Sequence, residues 1–223
     1  MHVMNFSRRH FFLGLLGLAA LGFGAWCLYG LWAIHGIESP DYAVLSSADA
    51  YEVRQYDSMI LATTTVSGDL ESSGNVGFLR LATYIFGGNT LHQEIAMTSP
   101  VSIEQASNHR DKAESVLSES ETGGEVYKVS FILPSQYTMD LLPLPTDSNV
   151  RVEAVTARTI AVLSFSGFAD ETTVAEKMTE LADDLERDGL VVKGAMSLAQ
   201  YNPPYTPWFM RQNEIWAQVL LTR

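Results

Sequence analysis

Cysteine and histidine are both scarce in this chain of 223 residues. The single cysteine, Cys27, lies inside an apolar segment, so the rest of the chain has no internal disulfide and depends on packing, which about 180 residues can provide. The histidines are His2, His10, His35, His92 and His109, and only the last two lie well beyond the apolar segment. Two isolated histidines without cysteine do not form a structural zinc site, so we predict no metal centre.

Positive charge is also scarce, with 14 Lys and Arg against 26 Asp and Glu and a formal net charge of −12. Residues 1–40 contribute Arg8, Arg9 and Glu38, a sum of +1, so the remainder carries −13. Phosphates would repel such a domain, so we predict no nucleic-acid partner.

The sequence lacks the CxxC, HExxH, P-loop and GxSxG motifs. We therefore predict a binding protein and no enzyme. One enzymatic alternative stays open, in which a desolvated Glu94 or Glu214 acts as a general base. The simpler interpretation of Glu214 is an ion pair with Arg211.

A long uncharged segment occupies residues 11–34, FFLGLLGLAALGFGAWCLYGLWAI. At 1.5 Å per residue it extends about 36 Å, enough to cross a hydrocarbon core of about 30 Å. Arg8 and Arg9 precede it, which predicts a cytoplasmic segment 1–10 and a folded domain on the periplasmic side of the inner membrane. We predict an uncleaved single-pass anchor, followed by a linker at 35–41.

A cleaved export signal is the alternative for this segment. Residues 7–13, SRRHFFL, are similar to a twin-arginine motif, and such signals are removed after translocation. The apolar run is longer than the usual signal core, and no small-x-small cleavage site follows it. The folded domain is exported in either case.

The chain beyond the linker contains an internal repeat. Residues 60–68, ILATTTVSG, match residues 159–167, TIAVLSFSG, at an offset of 99. The same offset aligns the helical patterns at 75–86 and 174–187, the second of which opens with a capping box, Thr173 and Glu176. Each half reads as strand, helix, strand, strand. We predict an α+β domain at 42–223 made of two βαββ units, at about 51–133 and 150–221, with a polar loop at 106–124.

The first helix and its continuation form the most informative segment, GFLRLATYIFGGNTLHQEIAMTSPV at 77–101. Apolar residues recur at helical spacing up to Phe86, and Gly87-Gly88-Asn89 then predicts a left-handed helix end. An extended segment follows at 95–101.

These residues resemble the SOUL haem-binding protein family, whose members carry a helix ending in YIFGGN followed by IAMTSPV. Three further blocks support the resemblance: ESPDY at 38–42 leading to YEVRQY at 51–56, VSFILPS at 129–135, and AQYNPPYTPWF at 199–209 followed by RQNE at 211–214. Gln212 departs from the second Arg that the family often has there. The resemblance implies a distorted antiparallel barrel flanked by two helices, in agreement with the repeat.

The resemblance further implies reversible binding of haem or another tetrapyrrole in a shallow apolar groove beside the first helix. The groove residues predicted on this basis are Phe78, Arg80, Leu81, Ala82, Tyr84, Ile85, Phe86, Tyr205, Trp208, Phe209 and Arg211. Arg80 and Arg211 are the predicted partners of the propionates. Family members share no single axial histidine, so His92 is a candidate iron ligand by its location only. Another flat apolar ligand or a partner protein is the alternative occupant, and the oligomeric state is not indicated.

Overall fold

The computed structural model describes residues 8–33, 36–106 and 125–220. The predicted loop at 106–124, with His109, lies outside the described residues beyond Ala106. The helices are α1 (Arg8–Ala33), α2 (Leu70–Ile85) and α3 (Glu171–Arg187), and a short 3-10 turn covers Trp208–Met210. The strands are β1 (Tyr42–Ser47), β2 (Glu52–Tyr56), β3 (Met59–Ser67), β4 (Val101–Gln105), β5 (Val126–Ile132), β6 (Arg151–Val155), β7 (Arg158–Ser166), β8 (Val191–Val192), β9 (Ser197–Gln200) and β10 (Gln212–Leu220).

The strands form one curled antiparallel sheet in the order β1-β2-β7-β10-β9-β4-β5-β3-β6, and β8 pairs with β10. The predicted duplication is confirmed: β3-α2-β4-β5 and β7-α3-β9-β10 are the two units, preceded by the short strands β2 and β6. Val53 pairs with Ala161, and Val152 pairs with Ala62, each 99 positions from its counterpart. The pairing of β4 with β9 joins the units at the middle of the sheet.

The two faces of the sheet carry separate apolar clusters because successive side chains of a strand point to opposite sides. Along β7, Ala161 and Leu163 belong to the larger core under α2 and α3, while Ile160 and Val162 face the other way. The second face also holds Tyr56, Leu61, Ile132, Ala199 and Trp216. Both helices therefore cover one face, as predicted for the fold.

Helix α2 lies unusually close to the sheet because glycine occupies its contact point. A Cβ added at Gly77 would lie 2.6 Å from the Cβ of Val129 on β5. The helix begins at Leu70, five residues before the predicted start, and its N-cap is Asp69, whose carboxylate accepts a hydrogen bond from Ser72 N (2.7 Å).

Asp170 caps α3 in the same way, accepting from Thr173 N at 2.9 Å. The predicted capping box at Thr173 is therefore wrong, since Thr173 already lies within the first turn.

Helix α1 contains the one described segment that is long and apolar enough to cross a membrane, Phe11–Gly30, with a mean hydropathy of 2.0. Most of that segment is exposed, and its last residue, Gly30, is buried.

Candidate functional site

An apolar stripe runs along the solvent-facing side of α2. Val76, Leu79, Thr83 and Phe86 follow one another at intervals of three and four residues, which places them on one helix face. Leu79 is 65% exposed and Phe86 is 62% exposed. The ten-residue interval from Val76 to Phe86 corresponds to about 15 Å of helix.

The loop after α2 is organised around the buried side chain of Asn89. Its Nδ2 donates to Tyr84 O (2.9 Å) and Gln93 O (2.7 Å), and its Oδ1 accepts from Gln93 N (3.0 Å). Gly87 has a φ of +103°, which confirms the predicted left-handed helix end. The motif therefore ends the helix and also fixes the loop that follows.

His92 lies on this loop with a φ of +52°, in the left-handed region that few non-glycine residues adopt. A Cβ added at Gly87 would lie 3.7 Å from His92 O, so His92 is adjacent to the end of α2. Its imidazole is exposed and, among the described residues, has no hydrogen-bond partner. No group of three His, Cys, Asp or Glu in the described ranges is placed to chelate a metal ion.

The connector between β5 and β6 extends the apolar surface past the helix end. Thr90 N donates to Leu144 O (2.9 Å), and Thr146 Oγ1 donates to Gly88 O (2.8 Å). These bonds hold Leu144 and Leu91, both exposed, beside the loop. We call the whole exposed apolar group the α2 surface: Val76, Leu79, Phe86, Leu91 and Leu144.

Arg80 flanks the stripe on the helix. Its Nη1 donates to Thr65 O at 3.2 Å, and its side chain is half-buried. Its charge also contributes, after hydrogen bonds from Asn149, to holding the pKa of Asp147 below its usual value. A cation is therefore present at the edge of the α2 surface.

Four predicted groove residues face the core instead. Leu81, Ala82, Tyr84 and Ile85 are all buried between α2 and the sheet, and Tyr84 Oη donates to Pro143 O (2.9 Å). The prediction that these four side chains line an open groove is corrected, because their burial leaves them almost no exposed surface. Phe78 is partly buried, with its ring centroid 5.3 Å from that of Phe131.

The groove residues predicted in the β9–β10 loop pack on α1 and on Phe168. Phe209 stacks on Phe23 of α1 (5.9 Å), and Trp208 stacks on Phe168, which precedes α3 (6.3 Å). Arg211 lies over the Phe168 ring and donates to Thr206 O. Tyr205 and Phe209 therefore contact α1, and Trp208 and Arg211 contact Phe168, whereas α2 packs on β3, β4 and β5.

Glu214 belongs to a buried polar cluster on the opposite face of the sheet from α2. Its carboxylate accepts from Arg54 Nη1 (3.0 Å), Tyr201 Oη (2.6 Å) and Trp216 Nε1 (2.7 Å). The predicted pair with Arg211 is therefore wrong. Burial is the main cause that raises the pKa of Tyr201, and the charge of Glu214 adds to it. Sequence reasoning missed Arg54, whose only signal was its place in YEVRQY.

Comparison with known proteins finds a matching family model and similar proteins. A family model described as SOUL heme-binding protein matches residues 37–218. Heme-binding protein 1 of Xenopus laevis is 30% identical over 186 residues, which are 81% of this chain and 92% of that protein. Heme-binding protein 2 of Homo sapiens is 30% identical over 190 residues, covering 82% of this chain and 87% of that protein.

A solved structure titled as the EcmrR C-terminal domain has a TM-score of 0.52 at 12% identity, covering 81% of this chain and 99% of that one. At that identity the likeness concerns the fold alone.

Proposed function

Because the chain belongs to the SOUL heme-binding protein family, we propose that it binds haem or a related tetrapyrrole reversibly on the α2 surface. The observation that carries the proposal is the exposed stripe from Val76 to Phe86, with His92 at one end and Arg80 at its edge. Exposed apolar patches of this kind mark interaction sites more often than they serve stability. The relatives are named as heme-binding proteins, and we take haem as the ligand class from those names.

Each part of the α2 surface has a distinct task in this proposal. Leu79 and Phe86 lose water-exposed apolar area when a flat macrocycle covers them, which supplies most of the affinity. Arg80 neutralises a propionate, which a chain of net charge −12 otherwise disfavours. His92 offers a ring nitrogen that is free of other bonds and suited to haem iron.

A hemin titration of the full chain in detergent tests the proposal. We expect a shifted Soret band, and a dissociation constant at least about tenfold higher for Leu79→Glu, since a buried Leu contributes about 2 kcal/mol. Val191→Glu is the matched control, because Val191 is exposed on β8 and lies outside the α2 surface. Equal affinity of Leu79→Glu, Val191→Glu and the unaltered chain would contradict the proposed site.

Two further variants separate the polar contributions. Arg80→Gln should weaken hemin binding about tenfold, while binding of the dimethyl ester, which has no propionate charge, stays unchanged. His92→Ala should remove the spectral signature of a nitrogen ligand and leave part of the affinity. An unshifted Soret band with the unaltered chain would favour the alternative, another flat apolar ligand or a partner protein on the same surface.

We further propose that α1 anchors the protein in the inner membrane, with the folded domain on the periplasmic side and a role as carrier, buffer or sensor. Its length, its hydropathy and the arginines Arg8 and Arg9 support this orientation. Carbonate extraction and intact-mass measurement test it: the full-length mass should remain in the membrane pellet. A soluble product lacking residues 1–40 would show a cleaved signal instead.

A further inference from the structure

The loop between β9 and β10 makes its closest tertiary contacts with the C-terminal part of α1. We call residues 203–211 the aromatic loop. Trp26 Nε1 donates to Tyr205 O at 2.8 Å, Tyr29 packs on the Tyr205 ring at 5.4 Å, and Phe23 stacks on Phe209. A Cβ added at Gly30 would lie 3.1 Å from Pro207 Cδ. The contacted helix segment therefore runs from Phe23 to Gly30.

The length of α1 places this contact at a membrane boundary. The contacted segment is eight residues long, so only twelve residues of the apolar span, 11–22, remain clear of the domain. Twelve residues extend about 18 Å, well short of the roughly 30 Å of a hydrocarbon core. If α1 crosses the bilayer, the segment 23–30 must enter it, and the loop attached to that segment enters its interfacial region.

The composition of the aromatic loop suits such a location. Tyr205, Trp208 and Phe209 are all exposed, as is Phe168, which stacks on Trp208. No acidic residue occurs in 203–211, although the chain as a whole has 26. Tryptophan and tyrosine favour the membrane–water interface, since their rings are apolar and their polar atoms remain in reach of water or headgroups.

The backbone carbonyl groups of the aromatic loop are also hydrogen-bonded. This suits a poorly hydrated environment, because an unpaired carbonyl group there costs free energy. Six successive carbonyl oxygens accept hydrogen bonds from within the protein. Thr206 N donates to Pro203 O, Met210 N to Pro207 O and Arg211 N to Trp208 O. The Arg211 guanidinium donates to Pro204 O and Thr206 O, and Trp26 Nε1 donates to Tyr205 O. Prolines at 203, 204 and 207 remove three donors that would otherwise need partners.

We propose that the aromatic loop and Phe168 rest in the interfacial region of the bilayer that α1 crosses, so that the domain is held against the membrane and not merely tethered to it. This inference rests on the proposed anchoring by α1. It assigns the loop a lipid partner and removes it from the tetrapyrrole site. Arg211 then has a structural task, because it pairs two loop carbonyls and covers the Phe168 ring.

Depth-dependent fluorescence quenching tests the proposal with the full chain in phosphatidylcholine vesicles. In a Cys27→Ser background, a single cysteine labelled with an environment-sensitive dye is placed by Trp208→Cys or, independently, by Phe168→Cys. We expect both labels to be quenched more by lipids brominated near the headgroup than by lipids brominated at the chain end. The control is Val191→Cys, because Val191 lies beyond the far end of α3, whose 17 residues extend about 25 Å.

A label introduced by Leu16→Cys reports on the anchor itself and should be quenched most by bromine near the chain end. If Leu16→Cys is quenched while the labels at 168 and 208 behave like the one at 191, α1 crosses the membrane and the interfacial loop is refuted. If the label at 16 is also unquenched, the anchoring proposal fails, and the interfacial loop fails with it.

Discussion

Arg54 and Glu214 form an ion pair with an Nη1–Oε1 distance of 3.0 Å, and both side chains are almost fully buried. The repeat produces a counterpart with the charges exchanged. Glu153 lies 99 positions after Arg54, and Lys128 occupies the position on β5 that Glu214 occupies on β10. The Lys128 Nζ atom lies 2.7 Å from Glu153 Oε1. The second pair is exposed, so the two halves have kept the same contact with opposite polarity and different burial.

The buried pair should matter much more for stability than its exposed counterpart. Glu214→Gln keeps the volume of the side chain and removes the buried partner of Arg54, which then keeps only the ion pair of its Nε with the partly exposed Glu52 (2.8 Å). We therefore expect the free energy of unfolding to fall by about 3 kcal/mol. Glu153→Gln should change it by less than about 1 kcal/mol, because water screens that pair. Urea midpoints of the full chain in detergent, followed by circular dichroism, measure both. Equal midpoints would show that burial does not distinguish the pairs.

Alkaline pH should destabilise the fold through the tyrosines of the same face. Burial raises the pKa of Tyr56 to about 12, against an opposing hydrogen bond from Arg54, while an unfolded tyrosine titrates near 10. Between pH 10 and 12 the unfolded chain therefore loses its proton first, and stability falls as pH rises. A difference of about two units corresponds to about 3 kcal/mol.

Melting temperatures at pH 9 and pH 11.5 measure this effect. The decrease in melting temperature from pH 9 to pH 11.5 should be smaller in Tyr56→Phe than in the unaltered chain. Tyr205→Phe is the control, because Tyr205 is an exposed tyrosine of the aromatic loop. The same alkaline decrease in all three proteins would exclude Tyr56 as a source.

The loop that carries His92 should depend on Asn89. Asn89→Ala removes a buried amide that bonds four backbone groups of the loop and helix end, so we expect a loss of about 3 kcal/mol and faster hydrogen exchange at Gln93 N. Asn149→Ala is the matched control, because Asn149 is exposed and its amide bonds the neighbouring side chain of Asp147. Unchanged exchange at Gln93 in Asn89→Ala would mean that the loop holds its shape without the amide.

Because α2 approaches β5 closely at Gly77, a larger residue at this position should destabilise the fold. Gly77→Ala forces a Cβ against the Cβ of Val129, which the strand backbone holds in place, and we expect a loss of about 2 kcal/mol. At Gly74 the added Cβ meets only the flexible end of Ile103 at 2.9 Å, and alanine gains up to about 1 kcal/mol of helix propensity. Gly74→Ala should therefore be near neutral. Thermal unfolding compares them, and a reversed order would contradict this packing.

The outer face of α2 shows where sequence reasoning was insufficient. Apolar residues occur on more than one side of this helix, so periodicity alone did not separate Leu79, which is exposed, from Leu81, which is buried. Only the position of the sheet distinguishes them. In the proposed site, Phe86, Arg80 and His92 remain from the sequence prediction, and the exposed Leu79, Leu91 and Leu144 replace its buried residues.

The sequence by itself determined the apolar helix, the duplication at 99 residues, the helix end at Gly87 and the family, because each depends on local pattern or on short motifs read in order. Tertiary structure alone decided that Glu214 pairs with Arg54, 160 residues away, and that the aromatic loop packs on α1 and not on α2. Those contacts depend on how the curled sheet brings distant strands and loops together, and no local pattern of residues encodes that geometry.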